Sequence, residues 1–215
     1  LLKKCPIASR YIRKSLGSQE FINDLEQWCI WVNESEYEEA NQITDIADRF
    51  QGVREMRLKS KKKATRDYHT RPYRFVEIRH QETDSIIVPR VSSERRNYIP
   101  VGFLGSGTIV KDSAYAVYGA SIIHFGFLAS KLQMCFVKTV AGRLKTDFRY
   151  SSLLCYNNFP IPELTVLQEN EITQRAFNVL SERELHPEKT LAQLYDPDKM
   201  PENLLAAHQR LDETV

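Results

Sequence analysis

Short apolar stretches in the first half of the chain predict β-strands. The run WCIWV (28–32) combines aromatic and β-branched residues and predicts a buried strand. PYRFVEIRH (72–80) alternates apolar and charged residues, while SIIVPRV (85–91) and NYIPVGFL (97–104) predict two more strands. Pro89 favours a sheet edge or a bulge, because proline has no N–H to donate. The short connections between these runs favour antiparallel pairing.

Helical spacing of apolar residues dominates three other parts of the chain. Ser35 followed by Glu38 is a capping pair for a helix that is expected to run to about residue 64. Apolar residues recur at helical spacing through 121–140, which predicts one long buried helix closed by Gly142. From Ile172 onward the pattern is helical and polar, and it predicts two or three short helices.

These elements together predict an α+β fold. Mostly antiparallel sheets and a long buried helix are expected to form a first domain, followed by a small all-helical C-terminal domain. Pro160 and Pro162 stand where the composition changes, which sets the expected domains at 1–162 and 163–215. A length of 215 residues, 42% of them hydrophobic, suits one large domain with a small appendage.

Charge is unevenly distributed, although the formal net charge is only +2. Residues 54–96 hold 13 Lys/Arg and six Asp/Glu, a local net charge of +7, whereas residues 163–215 hold five and 11, a net of −6. A basic region is the usual electrostatic footprint of nucleic-acid binding. A solvated helix rich in lysine has the same composition, so the basic run 59–66 leaves both interpretations open.

The remaining composition narrows the class of protein. None of the four cysteines forms a CxxC pair and several lie in apolar runs, which favours reduced thiols in a cytoplasmic protein. The five histidines show no metal-ligand spacing with the cysteines, so no metal site is expected. No apolar run reaches the roughly 20 residues that span a bilayer, so no membrane partner is expected. The start Leu-Leu-Lys-Lys, without Met or signal peptide, predicts a fragment of a longer protein.

Two motifs resemble catalytic parts of DNA methyltransferases. GFLGSGT (102–108) is similar to their glycine-rich S-adenosylmethionine loop, but that loop needs a following helix in a parallel sheet, and β-branched residues follow here. YNNFPIP (156–162) resembles the Asn-Pro-Pro-aromatic motif that holds a flipped adenine, but it lacks the double proline. We interpret the first as a tight turn and the second as a turn that closes a domain.

Several longer stretches are specific by their order and spacing. They are GSQEFI (17–22), WCIW (28–31), PYRFVEIRH (72–80), IIVPRVSSERRNYIPVGF (86–103), DSAYAVYGA (112–120), GRLKTDFRYSSLLCYNNFPIP (142–162) and LYDPDKMPENLLAAHQRLDETV (194–215). Over almost the whole chain they resemble the C-terminal part of MmeI-like (type IIL) adenine-specific DNA methyltransferases, which occur with or without a fused nuclease.

This resemblance implies a division of labour. The methyltransferase domain, with its S-adenosylmethionine loop and its adenine-holding motif, would lie upstream of this chain. The chain itself would be a target recognition domain with a helical C-terminal domain, non-catalytic and without a cofactor of its own. Double-stranded DNA and the upstream methyltransferase domain are the partners that the resemblance implies.

The segment 142–162 is the one in which the resemblance implies base-specific contacts. In the major groove guanine offers two acceptors to a cation, and cytosine offers an amino donor to a carboxylate. Lys145 and Asp147 are two positions apart, so in an extended segment their side chains would share a face. We therefore expect Lys145 and Asp147 to specify one G·C pair and Arg149 to read a neighbouring guanine. An exposed ion pair of little consequence is the alternative.

Other cations are candidates for phosphate contacts, which position a protein on DNA without specifying sequence. They are Arg143, Arg79, Arg90, Arg95, Arg96, Lys111, Lys59, Lys61, Lys62, Lys63 and Arg66. Some are expected to be structural instead, since an arginine of the VSSERR turn has Glu94 or Glu77 as a candidate partner.

Two further function classes stay open at the level of sequence. One is a stand-alone minimal methyltransferase that uses GFLGSGT and YNNF. The other is a specificity subunit that docks on a separate methylase through its acidic helical tail.

Overall fold

The computed structural model describes residues 5–215, which divide into two compact units. The first unit contains the described residues up to Ser15 together with Gln27–His80. The second unit contains Leu16–Glu26 together with Gln81–Val215. The C-terminal helices therefore pack within the second unit and share its main hydrophobic core.

The first unit combines a short strand pair with helices around an aromatic core. Strand β1 (Ile12–Leu16) pairs through its first three residues with β2 (Trp28–Ile30) in antiparallel register. The α-helices of this unit are α2 (Tyr37–Asn41), α3 (Thr44–Leu58) and α4 (Lys63–Asp67), with 3-10 turns at Pro6–Tyr11, Glu34–Glu36 and Tyr68–Thr70. The core is formed by Ala8, Tyr11, Val32, Ala40, Ile46, Phe50 and Tyr73.

Two sequence predictions in the first unit are wrong. The single helix expected to residue 64 is broken into three, and 72–80 forms turns and bends instead of a strand. The buried Arg57 accounts for the second difference, because its guanidinium donates to the carbonyl oxygens of Tyr68, Arg71 and Arg74 at 3.0, 2.6 and 2.7 Å. These bonds satisfy the carbonyl oxygen of Arg74 and two carbonyl oxygens just before the segment, and they hold this part of the chain in a looped path.

The second unit is built on two small antiparallel sheets. In one, β3 (Ser85–Pro89) lies between β5 (Gly102–Leu104) and β7 (Ala114–Tyr118). In the other, β9 (Asp147–Arg149) lies between β4 (Val91–Ser92) and β8 (Gly142–Leu144). The remaining short elements are α1 (Ser18–Ile22), β6 (Ile109–Val110) and a π-helical turn at Ser152–Tyr156.

Pro89 occupies a local edge, although β3 is the central strand of its sheet. Strand β5 pairs only with Ser85 to Ile87, so no partner strand faces Pro89 on that side, while β7 pairs with all five residues of β3. The missing N–H of the proline therefore interrupts no ladder bond toward β5. The predicted strand 85–91 accordingly divides at Arg90 into β3 and β4.

The predicted long helix over 121–140 consists of two helices. Helix α5 (Ile122–Leu128) ends before Ser130, whose side chain accepts the backbone N–H of Gln133 and begins α6 (Lys131–Val140). The serine favours a cap over a continued helix, because its hydroxyl competes for backbone groups. Helix α6 ends just before Gly142, as predicted, but Gly142 begins β8 and does not adopt the positive φ of a glycine that closes a helix.

Three C-terminal helices complete the second unit, as the sequence predicts. They are α7 (Val166–Glu184), α8 (Leu191–Leu194) and α9 (Glu202–Thr214). Helix α5 packs closely on α7 at Gly126, where an added Cβ would lie only 2.7 Å from Ile172 Cγ2. The α+β class, with small antiparallel sheets and a helical C-terminal region, is confirmed.

A buried polar network ties these helices to the strand region. Arg183 donates to the carbonyl oxygen of Val101 at 2.7 Å and to the Tyr195 hydroxyl, which lies 2.8 Å from His208 Nε2. Burial, aided by the Arg183 charge, holds the pKa of His208 well below its usual value. His208 is therefore neutral in the folded protein near pH 7.

All four cysteines are unpaired thiols. Burial raises the pKa of Cys29 and of Cys155, which favours the protonated thiol at both positions. Within residues 5–215, no helix combines the length and apolar character needed to cross a membrane.

Candidate nucleic-acid interface

Strands β8 and β9 form a hairpin with a two-residue turn. Leu144 pairs with Asp147, so Lys145 and Thr146 make the turn. Lys145 adopts a positive φ of 58°, a conformation usually taken by Gly, Asn or Asp in such hairpins. Lysine is not a residue that favours this backbone conformation, and the Lys145 side chain is exposed at the tip of the hairpin.

Phe148 of β9 and Tyr150, just after this strand, anchor the hairpin in the core. Phe148 and Tyr150 are each 3% exposed and belong to the main core of the second unit. Because side chains alternate along a strand, Asp147 and Arg149 project to the opposite face from Phe148. Asp147 is half-buried and Arg149 is exposed.

The sequence predicted that Lys145 and Asp147 share a face because both would lie in an extended segment, and the backbone geometry does not agree with this. Lys145 lies in the turn and not in an extended strand, so strand alternation does not determine its direction. The pair that shares a strand face is Asp147 with Arg149. Lys145 and Arg149 have no hydrogen-bond or ion-pair partner among the described residues, so both cations remain available to a ligand.

Arg143 is held by contacts within the chain. Its guanidinium donates to Glu94 Oε2 at 3.2 Å and to the carbonyl oxygen of Thr146 at 2.8 Å. It also lies over the Phe148 ring, 4.5 Å from the centroid. These contacts join both strands of the hairpin to the segment after β4, so they favour a structural function for a residue predicted to contact phosphate.

Arg96, in the segment after β4, lies close enough to Asp147 for the two charges to interact. It is partly buried, and burial lowers its pKa while the nearby charges of Asp147 and Asp196 oppose that shift. Sequence analysis missed this proximity of Arg96 to Asp147, because 51 positions separate the two residues. The β4–β9 pairing, in which Val91 faces Arg149 and Ser92 faces Phe148, brings them together.

Three other predicted phosphate ligands of the second unit also have partners within the chain. Arg95 forms an ion pair with Asp198. Arg90 donates to the carbonyl oxygen of Asp112 at 2.8 Å. Lys111 lies 2.5 Å from Glu20 Oε1; this pair is largely buried, and the Lys111 hydrogen bond lowers the pKa of Glu20.

The basic run of the first unit contains both paired and unpaired cations. Lys63 binds Asp67 at 2.7 Å, one helical turn away, and Arg66 donates to the carbonyl oxygens of Ser60 and Lys61. The side chains of Lys59, Lys61 and Lys62 are exposed and have no partner among the described residues. Arg79, also in this unit, is exposed and binds Glu77 at 3.1 Å.

The two motifs that resemble catalytic parts both make contacts within the chain. In GFLGSGT the N–H of Thr108 donates to the carbonyl oxygen of Gly105 at 3.0 Å and β6 follows, which confirms a tight turn. In YNNFPIP the Asn158 amide donates to the carbonyl oxygen of Leu153, and Phe159 packs edge-on against Phe136 with centroids 5.4 Å apart. The Phe159 ring and the Asn158 amide are thus both in contact with other residues of the chain. No group of three or more metal-ligating side chains occurs within residues 5–215.

This chain resembles known proteins in sequence and in structure. The family model for the target recognition domain of MmeI matches residues 1–163, and the model for the MmeI C-terminal domain matches residues 166–215. DNA methyltransferase A of Bacillus subtilis (strain 168) is 43% identical over 214 residues, which cover 100% of this chain and 24% of that protein. The structure of the type IIL restriction-modification enzyme MmeI in complex with DNA superposes with a TM-score of 0.94 at 37% identity, over 100% of this chain and 29% of that chain. The chain thus spans about a quarter of the length of the relatives it matches.

Proposed function

This chain belongs to the MmeI family, whose target recognition and C-terminal domains it carries, and we propose that it reads base sequence in double-stranded DNA for an adenine-N6 methyltransferase. The observation that supports this most directly is the β8–β9 hairpin. It presents two unpartnered cations and a carboxylate on a base anchored in the core. The structural match to a relative solved with DNA supports the same function.

The hairpin has dimensions that suit the major groove. That groove is about 12 Å wide and admits a two-stranded β-ribbon. Lys145 at the tip donates to O6 and N7 of a guanine, and Asp147 beside it accepts from the amino group of the paired cytosine. Arg149 lies two residues further along the strand, roughly 7 Å away. That spacing corresponds to about two base-pair steps of 3.4 Å, so Arg149 reads a separate guanine.

Phosphate contacts come chiefly from cations without a partner in the chain. Lys59, Lys61 and Lys62 fit this function, because no carboxylate within the described residues neutralises them. Arg143 and Arg95 form ion pairs with Glu94 and Asp198, so their main function is to hold neighbouring segments together and not to bind DNA phosphates. Such contacts give affinity that depends on salt and not on sequence.

Catalysis belongs to another part of the complete polypeptide. The methyl donor of a DNA methyltransferase is S-adenosylmethionine, and the only sequence motif proposed to bind it in this chain does not fit. GFLGSGT forms a turn that β6 follows, so it lacks the helix N-terminus of a cofactor loop. The same geometry disfavours a stand-alone methyltransferase.

The decisive experiment exchanges the charges of the proposed base readers in the complete protein. We expect Lys145→Glu with Asp147→Arg to invert the preferred G·C pair at one position of the methylated site and to leave the other positions unchanged. Each matched contact discriminates by about 1–3 kcal/mol, or roughly 5- to 150-fold. Sequencing that detects N6-methyladenine in DNA from expressing cells gives the site directly. Equal loss of methylation at all sequences would contradict base reading by this pair.

A further inference from the structure

The first unit contains a large apolar groove that its own residues do not fill. The groove has a volume of about 1040 Å³ and lies between the β1–β2 pair, helix α3 and the looped segment 72–75. Trp28, Met56 and Phe75 line it and are 54%, 57% and 43% exposed. Side chains of this size usually lie inside a protein or in an interface.

The chemistry of the groove favours a protein segment over nucleic acid. Its walls are mainly aliphatic and aromatic, whereas surfaces that bind nucleic acid are polar and strongly positive. Arg49 is the exposed cation of its lining and has no partner among the described residues. An apolar segment that carries one carboxylate toward Arg49 would complement both features.

The position of the groove in the chain indicates where such a segment comes from. The two relatives are between three and about four times as long as this chain, and the second family model that it matches is the C-terminal domain. A match to a C-terminal domain indicates that most of the additional polypeptide of such a relative lies on its N-terminal side. The earliest described residues belong to the first unit, where a 3-10 helix at Pro6–Tyr11 leads into Ile12, which lines the groove. A covalently attached segment entering here has a high effective concentration at the groove.

We propose that in the complete protein this groove is covered by an apolar segment of the same polypeptide, N-terminal to this chain. The inference rests on the proposed function only in taking the chain as part of a longer methyltransferase. The covered groove would fix the recognition domain against the part of the protein that carries the chemistry.

Helix α3 offers a matched pair of positions for the test. Met56 lines the groove, while Leu58, two residues later on the same helix, does not and is 50% exposed. In the complete protein without DNA or cofactor, p-benzoylphenylalanine at position 56 is expected to cross-link on irradiation to a peptide N-terminal to this chain. The same group at position 58 is expected to give at least about tenfold less of that product. Mass spectrometry identifies the attached peptide.

A second measurement uses charge in place of cross-linking. Met56→Glu is expected to accelerate proteolytic release of this chain from the complete protein by about tenfold or more, since a buried unpaired charge weakens packing. Leu58→Glu should stay within about twofold of the natural protein, because surface substitutions change stability little. The second variant also controls for added negative charge beside the basic run.

Three results would overturn the proposal: cross-linking to a second copy of the chain, no cross-link from position 56, or equal proteolysis of the two variants. None of these readouts requires methylation. A complete protein that gives the expected cross-link but shows no base preference in methylation or in DNA binding would refute the proposed function and leave the covered groove standing.

Discussion

Arg143 provides a sharp test of the proposal that the hairpin reads DNA, because its two candidate functions predict different salt dependences. As a phosphate ligand it would add affinity at every sequence. As a support it would hold the turn in place, through Glu94 and the carbonyl oxygen of Thr146, and would matter for discrimination. The structure favours the support, and the perturbation that separates the two is Arg143→Ala.

The magnitude follows from the three contacts that the substitution removes. The ion pair with Glu94 is about half exposed on both sides and is worth roughly 0.2–1 kcal/mol. The hydrogen bond to Thr146 contributes about 0.5–1.5 kcal/mol. The contact over Phe148 adds about 0.5–1 kcal/mol at an exposed site. Since a loosened turn retains part of its function, we expect about 1–2 kcal/mol less discrimination at the base pair of Lys145 and Asp147, or roughly 5- to 30-fold.

The assay is titration of the complete protein into labelled duplexes at several salt concentrations. One duplex carries the preferred site, and the other carries the same site with the G·C pair inverted. We expect Arg143→Ala to bring the two affinities together while the dependence of log Kd on log salt stays unchanged. Glu94→Gln should produce a smaller effect of the same kind, since it removes one of the three contacts.

The opposite pattern would refute the supporting function. Loss of one phosphate contact reduces the salt slope by about 0.9 and weakens all sequences alike. If Arg143→Ala gives that result with discrimination intact, the guanidinium leaves Glu94 to bind the DNA backbone.

Three further predictions concern the architecture behind the hairpin. Gly126→Ala should destabilise the second unit by about 1–3 kcal/mol, seen as faster hydrogen exchange in α5 and α7, because the new methyl group would meet buried Ile172 at 2.7 Å. Gly105→Ala, where nothing lies within 4 Å of an added Cβ, is the matched control for stability. The same Gly105→Ala should leave the S-adenosylmethionine affinity of the complete protein within about twofold by calorimetry, and a large loss would restore the loop as a cofactor site. Because the folded pKa of His208 is depressed, the unfolded state binds more protons below about pH 6.5, so the thermal midpoint should fall as pH drops through that range and less so in His208→Gln.

Sequence patterns correctly predicted the helices whose formation depends on the periodicity of their own residues. The α7 region and the α9 region have helical periodicity over long stretches, and both form helices. The strand predicted over 72–80 failed where a residue outside it, Arg57, binds the carbonyl oxygen of Arg74 and two carbonyl oxygens just before the segment. The long helix failed at Ser130, since apolar periodicity does not register a cap within an otherwise continuous pattern.

The candidate site was partly within reach of sequence reasoning. The charged segment 143–149 was identified as the element to test, and the structure shows it as a hairpin, but the turn at Lys145 was missed. Gly or Asn usually occupies a position with positive φ in such a turn, and neither residue occurs at position 145 or 146. The sequence also could not show which cations form ion pairs with carboxylates. Arg95 and Asp198, for example, are 103 positions apart in the chain.

Side chains alternate along β9, so the residue that anchors the hairpin in the core lies on the opposite face from the charged residues that are exposed or half-buried. Phe148 is buried in the core, and its replacement by alanine would cost about 3–5 kcal/mol. Lys145 and Arg149 are exposed and without partners, so substitutions there should change stability by no more than about 0.5 kcal/mol. A recognition surface arranged in this way can exchange one charge for another while the hairpin keeps its place. The half-buried Asp147 is the exception, because Arg96 stands near it, so a change of charge at 147 alters the electrostatics of both residues.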